Sequence, residues 1–339
     1  MSSGRILTSK SPRVRVGLTI GDPSGIGPAI IPKALSCLKG KADFLVIGDR
    51  WVLERLANVR FGLPAVKFID LHNVGRRDFR FGQIKGEYGR ASIEYIDKAL
   101  ELITGKEIDC LVTCPISKEA VNKGGVSGFF GHTEYLADAV NTRNFAMMLL
   151  NKKLRISLAT RHIPLKDVSH RLSKGYIRTV IALTYSYLKD FFGIRNPRLV
   201  TCGVNPHASD NGLIGREEIE IIRPALKAVA KEGAFIDGPL PADTAIARAV
   251  KGDYDAVIAM YHDQALIPLK LLSRYPGVNL TLGLPFVRTS PLHGTAFDIA
   301  AKPQSANPAS LIEAIRLAID CVRCRRTQES VKRGDGSPA

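Results

Sequence analysis

Acidic residues, aromatics, cysteines and long apolar runs are all scarce in this chain. Its 339 residues include 32 Asp and Glu against 48 Lys and Arg, 6 Cys, 4 Met and 1 Trp, and aromatics make up 7%. No apolar run approaches the ~20 residues of a membrane-spanning helix; residues 256–261 are among the longest. The first dozen residues are polar and basic and lack the roughly 7–15-residue apolar centre of a secretory signal, so the chain reads as cytoplasmic and without a membrane partner. Six cysteines in a chain this long make no disulfide framework. Cys321 and Cys324 form a C-x-x-C with no second pair to complete a zinc knuckle, and Cys110 and Cys114 bracket an apolar strand; reduced, packed thiols are expected at both.

What is present is ordinary globular composition, 45% apolar and 24% charged with 30 Gly and 19 Pro, which excludes disordered, collagen-like and coiled-coil classes. The length suggests two domains. The formal charge of +16 suits polyanions in general: nucleic acid, anionic membrane or phosphorylated metabolites. The basic residues are spread, with mild clusters at Arg76, Arg77, Arg80 and Lys85 and at Arg323, Arg325, Arg326, Lys332 and Arg333. Neither cluster has interleaved aromatics or a groove-reading motif, so no nucleic-acid partner is expected.

Apolar strands and amphipathic helices alternate, the signature of an α/β fold. Strands are expected at 13–20, 42–48, 109–113, 145–150, 154–159, 198–202, 256–260 and 278–282. Helices are expected from Pro28 to Leu38 and at 89–104, 135–141, 175–191, 216–231 and 309–322; the tail from Arg326 reads as frayed. No repeat or Pro/Gly/Ser linker separates two halves, so the domains are expected to interleave.

The turn after the first strand, Gly21-x-x-x-Gly25-x-Gly27, matches neither a Rossmann nor a P-loop pattern and is either a tight turn or a ligand loop. Three of the seven histidines, His162, His207 and His262, end a strand or open the loop after it, where α/β proteins place ligands. Placed so, they either hydrogen-bond locally or converge on one metal with a position open for substrate. His132 and Thr133 follow Gly131 at a helix start, an anion cradle or simply a cap. Lys270, Asn279 and Arg288 stand along an otherwise apolar stretch, where cations among strands must reach solvent or an anion. His72 and His170 read as surface.

These segments together resemble the 4-hydroxythreonine-4-phosphate dehydrogenase family of pyridoxal phosphate biosynthesis. The resemblance spans roughly Arg13 to Arg323 and rests on Gly21-Asp-Pro-Ser-Gly-Ile-Gly-Pro28, Pro115-Ile-Ser-Lys118, Gly131-His-Thr-Glu134, Asn205-Pro-His207, Gly238-Pro-Leu-Pro-Ala-Asp-Thr244, Tyr261-His-Asp-Gln264 and Leu282-Gly-Leu-Pro-Phe-Val-Arg-Thr-Ser290. It implies two interleaved α/β domains with an active-site cleft between them, as in isocitrate and isopropylmalate dehydrogenases. Residues 1–127 plus 286–325 would form the cofactor-side domain, 128–285 the metal, substrate and dimerisation domain, and 326–339 a tail.

The resemblance further implies a homodimer with each active site shared between subunits. His162 and His207 of one subunit and His262 of the other would hold a divalent metal (zinc, cobalt or magnesium). It implies substrate contacts at His132, Thr133, Lys270, Asn279 and Arg288, with Lys270 and His262 catalytic. The segment 293–300, followed by Ala306-Asn-Pro308, is similar to an adenosine-cradling loop, implying that Gly294, Thr295, Asp298 and Asn307 bind NAD or NADP. Two positions depart from the family pattern: Leu292 replaces an acidic residue and Cys114 a glycine. The implied reaction is oxidation of 4-phosphooxy-L-threonine at C3, with 4-phosphoerythronate or phosphothreonate as alternative substrates.

Overall fold

The computed structural model describes residues 12–57, 66–272, 274 and 276–332. Eleven strands form one sheet: β1 (Arg15–Thr19), β2 (Asp43–Gly48), β3 (Val66–Asp70), β4 (Cys110–Thr113), β5 (Ala146–Leu150), β6 (Arg155–Leu158), β7 (Arg198–Cys202), β8 (Phe235–Leu240), β9 (Ala256–Ala259), β10 (Val278–Leu282) and β11 (Val287–Pro291). Their spatial order is β3-β2-β1-β4-β11-β10-β5-β6-β9-β7-β8. The ladder is parallel from β3 to β11, antiparallel at β11–β10, β10–β5 and β5–β6, and parallel again from β6 to β8. Helices cover both faces: α1 (Gly27–Cys37), α2 (Arg50–Ala57), α3 (Gly86–Thr104), α4 (Lys118–Lys123), α5 (His132–Ala139), α6 (Val168–Arg171), α7 (Lys174–Asp190), α8 (Arg223–Ala230), α9 (Ala242–Lys251), α10 (His262–Leu271) and α11 (Ala309–Lys332).

Both faces of the central strands are apolar. In β5, Ala146, Met148 and Leu150 enter the larger core while Met147 and Leu149 enter a second one with Ile156, Leu158 and Val257. That two-sided burial is why these strands read as unbroken apolar runs. The interleaved architecture has a local counterpart in sequence order: β1–β4 and β11 form one half of the sheet, and β5–β10 the other.

Beyond the strands β3, β8 and β11, which the sequence pattern does not predict, three expectations are corrected. Lys270 lies on α10, a helix, and not among strands. The segment 216–231 opens with a π-helical turn at Glu218–Ile222 before α8. The tail is helical through Lys332: α11 continues without a break, so the expected fraying from Arg326 does not hold for 326–332, and 333–339 lie outside the described residues. Tertiary contacts override the polar composition. Arg326 pairs with Asp109 at 2.9 Å and donates to the Pro12 carbonyl, Gln328 donates to the Lys189 carbonyl, and Arg325 pairs with Glu329 at 2.8 Å. Arg15 pairs with the same Asp109 at 2.7 Å, so the first strand and last helix share one carboxylate, held below its ordinary range chiefly by the Arg15 bonds against the effect of burial. Among the described residues no helix is long and apolar enough to cross a membrane.

Candidate active site

A cavity of about 180 Å³ opens where the sheet changes direction, above the carboxyl end of β4 and beside β10 and β11. Such reversals are where open α/β sheets leave room for ligands. Arg288 on β11 forms its floor. Its side chain is fully buried, donating from Nη1 to Thr281 Oγ1 at 3.1 Å and from Nη2 to Thr113 Oγ1 at 2.6 Å. Burial pushes the guanidinium down to about 9, opposed by the charge of Glu134. A buried cation with two neutral partners needs an anion.

The wall facing Arg288 is the start of α5. Gly131 precedes the helix and its carbonyl takes the Tyr135 N–H; His132 and the buried Thr133 occupy the first turn, whose free N–H groups and dipole favour an anion. Glu134 reaches back to Arg161 at 3.3 Å, fastening α5 to the loop that carries His162. Burial holds the His132 imidazole neutral, well below the usual range, with Arg288 and Lys118 adding to the effect.

Four buried polar atoms on the residues lining this cavity have no protein partner: His132 Nε2, Asn279 Oδ1, Arg288 Nε and His293 Nε2. Buried polar groups are almost always satisfied, so four orphans around one small space mark a ligand site.

Of the expected site residues, the cavity gathers His132, Thr133, His162, Asn279, Arg288 and Gly294. His262 stands beside His162, their ring centroids 5.5 Å apart. Strand register produces this: β6 and β9 are parallel with Leu158 opposite Ala259, and Thr160 ties to the Met260 carbonyl at 2.6 Å, so the loops leave at matched heights. His262 Nδ1 donates to Asp263 at 2.7 Å, leaving the Nε2 lone pair free to ligate, an arrangement typical of metal-ligating histidine. Burial, and next the Lys118 charge, lower His162 and keep it neutral, as ligation requires.

His207 is not gathered with them. Among the described residues no group of three His, Cys, Asp or Glu side chains is spaced to hold a metal. His207 follows β7, the other neighbour of β9, but is exposed on a left-handed turn in which His207, Ala208, Ser209, Asp210 and Asn211 all have positive φ. Glu218 buttresses that turn, accepting from the Val204 and Asn205 N–H groups, each at 2.8 Å. The family resemblance implies His162 and His207 of one subunit with His262 of the other; within one chain His162 stands beside His262, and His207 stands on the exposed turn.

Lys270 is exposed on α10, outside the cavity wall, its charge felt by His293. Of the expected cofactor residues, Gly294 lines the cavity, Thr295 accepts the Ile26 N–H at 2.8 Å, Asp298 is exposed, and Asn307 caps α11 through the Ala309 N–H at 2.9 Å. The 293–298 loop thus rests on the Gly-rich turn. That turn is tight: Gly21 has φ of +73°, and a Cβ there would lie 2.4 Å from the Pro115 carbonyl. Sequence reasoning passed over Lys118, Ser290 and His293 as site residues, although all line the cavity. Lys118 follows the carboxyl end of β4, the placement that singled out the histidines.

Asp22, within the turn, is fully buried and accepts from Ser24 N and Oγ at 2.9 and 3.0 Å, while its own N–H donates to Pro115. Burial raises its carboxyl from 3.8 to about 6 despite those bonds. A raised acid favours folding below its unfolded pKa and loses that contribution as pH rises through the folded value, here on the order of 3 kcal/mol between about pH 4 and 6. Asp22→Asn is therefore expected to gain stability over wild type above pH 6 and not at pH 4. Denaturant unfolding of both proteins at pH 4 and 8 measures it; a difference independent of pH refutes it.

Comparison with known proteins shows the family. The family described as "Pyridoxal phosphate biosynthetic protein PdxA" matches residues 40–318. The 4-hydroxythreonine-4-phosphate dehydrogenase of Sulfurihydrogenibium sp. (strain YO3AOP1) is 43% identical over 325 residues, 92% of this chain and 100% of that one. The D-threonate 4-phosphate dehydrogenase of Cupriavidus necator is 42% identical over 319 residues, 89% of this chain and 95% of that one. Among solved structures, 4-hydroxythreonine-4-phosphate dehydrogenase from Klebsiella pneumoniae superposes with a TM-score of 0.82 at 37% identity, covering 93% of this chain and 99% of that one. Isocitrate dehydrogenase from Methylococcus capsulatus, at 13% identity and a TM-score of 0.50, covering 94% of this chain and 89% of that one, shares the fold alone. The chain belongs to the family of the pyridoxal phosphate biosynthetic protein PdxA, and it is a dehydrogenase acting on a CH–OH group.

Proposed function

We propose that this protein oxidises the C3 hydroxyl of 4-phosphooxy-L-threonine with NAD or NADP. The product, 2-amino-3-oxo-4-phosphooxybutanoate, is a β-keto acid that loses CO₂ to give 3-amino-2-oxopropyl phosphate, a step of pyridoxal phosphate biosynthesis in the cytoplasm. The observation that carries this reading is the set of four unpartnered buried polar atoms around a buried guanidinium, a space that demands a small polyanionic ligand.

When bound, a divalent metal supplies Lewis acidity at the hydroxyl and the nicotinamide accepts the hydride. His162 and His262 fit a metal, being close, neutral or carboxylate-oriented, and exposing ring nitrogens; imidazole donors favour zinc or cobalt over magnesium. His207 of a second copy would complete the set, so the working form is a homodimer with shared sites. Arg288, His132, Thr133 and the α5 N-terminus hold the phosphate, and Asn279 offers its carbonyl oxygen to a donor on the substrate. Lys270, exposed near the far end of α10 from His262, takes the role the family resemblance implies, orienting the substrate or accepting the hydroxyl proton. Gly294 and Thr295 bring the cofactor loop to the cavity edge, with Asp298 and Asn307 farther along it. In this reading 1–127 with 286–325 form the cofactor-side domain and 128–285 the other.

The test is NADH or NADPH formation with added zinc or cobalt and 4-phosphooxy-L-threonine, beside D-threonate 4-phosphate and 4-phosphoerythronate. Turnover of the first at least about 100-fold more efficient than of the others, some 3 kcal/mol of discrimination, is the expected result. Preference for either competing acid keeps the chemistry and overturns the substrate.

A further inference from the structure

Two cations line the cavity, Arg288 and Lys118, and only the first has an evident counterpart in the phosphate. Lys118 opens α4, capped by Ser117, whose Oγ accepts the Ala120 N–H at 3.1 Å. The helix is seated firmly, because Gly89 of α3 lies so close to it that a Cβ there would fall 2.1 Å from the Ala120 carbonyl. From this base the Lys118 side chain reaches the start of α5, its Cε 3.6 Å and Nζ 3.9 Å from where a Cβ on Gly131 would stand. Its charge depresses both His132 and His162, so it faces the cavity between the phosphate cradle and the paired histidines. Among the described residues no hydrogen bond or ion pair engages Nζ. The one carboxylate lining the cavity, Glu134, is already paired with Arg161.

The Arg288 guanidinium gives two of its five N–H groups to threonines, and its single positive charge balances one anion. A substrate with two anionic ends needs a second cation. We propose that Lys118 is a specificity-determining residue that holds the carboxylate of the phosphorylated hydroxy acid, while Arg288 and the α5 N-terminus hold its phosphate. This rests on the substrate reading above. The two cations would then flank the reacting carbon, and a phosphorylated alcohol lacking the carboxylate would be discriminated against.

Calorimetric binding without nicotinamide, so that nothing turns over, tests it on the purified protein with added zinc. The probes are 4-phosphooxy-L-threonine and its C1 carboxamide; the variants are Lys118→Met and Lys118→Arg. Wild type should bind the acid at least 10-fold more tightly than the carboxamide. Lys118→Met should lose 10- to 100-fold on the acid and less than 3-fold on the carboxamide, and Lys118→Arg should stay within 5-fold of wild type on the acid. In turnover, KM for the acid should rise in Lys118→Met more than kcat falls. Equal loss on both probes overturns the assignment, because a phosphate contact or a structural role would weaken both; so does no loss on either. Wild type that binds neither probe overturns the substrate reading itself, and this assignment with it.

Discussion

Arg288→Met is expected to lower kcat/KM about 10³-fold while leaving the protein as stable as wild type or more so. A buried charged contact to a ligand is worth about 2–5 kcal/mol, and each 1.4 kcal/mol is a factor of about ten. Arg288 offers the cavity's one fully buried cation, so the upper part of that range applies. Stability moves the other way. Burial lowers the guanidinium from 12.5 to about 9, a penalty on the order of 5 kcal/mol at neutral pH for the empty site. Methionine removes that penalty but strands the Thr113 and Thr281 hydroxyls, at about 1–3 kcal/mol each. For a base whose pKa falls on folding, wild-type stability rises with pH between the folded and unfolded values, so any advantage of the variant should shrink above pH 9. Steady-state kinetics and unfolding at pH 7 and 10 measure both effects. A loss of less than 10-fold in kcat/KM would place the phosphate elsewhere.

Mixing two inactive variants should restore activity. His162→Ala and His207→Ala are each expected to lose at least about 10³-fold, since a metal with one of three ligands missing loses both affinity and position. One chain pairs His162 with His262 and holds His207 apart. If His207 comes from a second copy, a hybrid of the two variants has one site lacking both ligands and one intact. Equal mixing by co-refolding then gives about a quarter of wild-type activity, half of the dimers being hybrids with one working site. Co-refolding His162→Ala with His262→Ala gives none, because in every hybrid each site lacks one of the pair. Recovery in the second mixture and not in the first would mean that His162 and His207 share a subunit.

The alternating pattern was legible wherever strands are buried on both faces, as in β4, β5 and β9, where apolar side chains follow one another almost without interruption. β11 hid because its buried middle is Arg288-Thr-Ser290, polar residues that the site, and not the core, requires. β8 hid behind Gly238-Pro239, and α10 behind Pro268 and an apolar sequence with weak helical periodicity. The individual histidines were visible because each stands at a strand's end. Their pairing was not, because it depends on the register of β6 against β9, which no spacing of 45 or 55 residues encodes. Lys118 obeyed the same placement rule but was passed over for want of an imidazole. The basic tail looked idle because its partners, Asp109, Pro12 and Lys189, lie far away in sequence.

Five successive non-glycine residues, His207 to Asn211, curl in the left-handed sense, at about 1–2 kcal/mol each relative to the ordinary hand. A free peptide of this sequence would relax to the opposite curl, and its imidazole would leave the loop on another bearing. Handedness here is an address label. By winding the loop against its natural sense, the fold withholds one imidazole from its own cavity and presents it outward. On the shared-site proposal, a solitary chain would be complete as a folded object yet incomplete as a chemical one, and dilution alone would separate those two kinds of integrity.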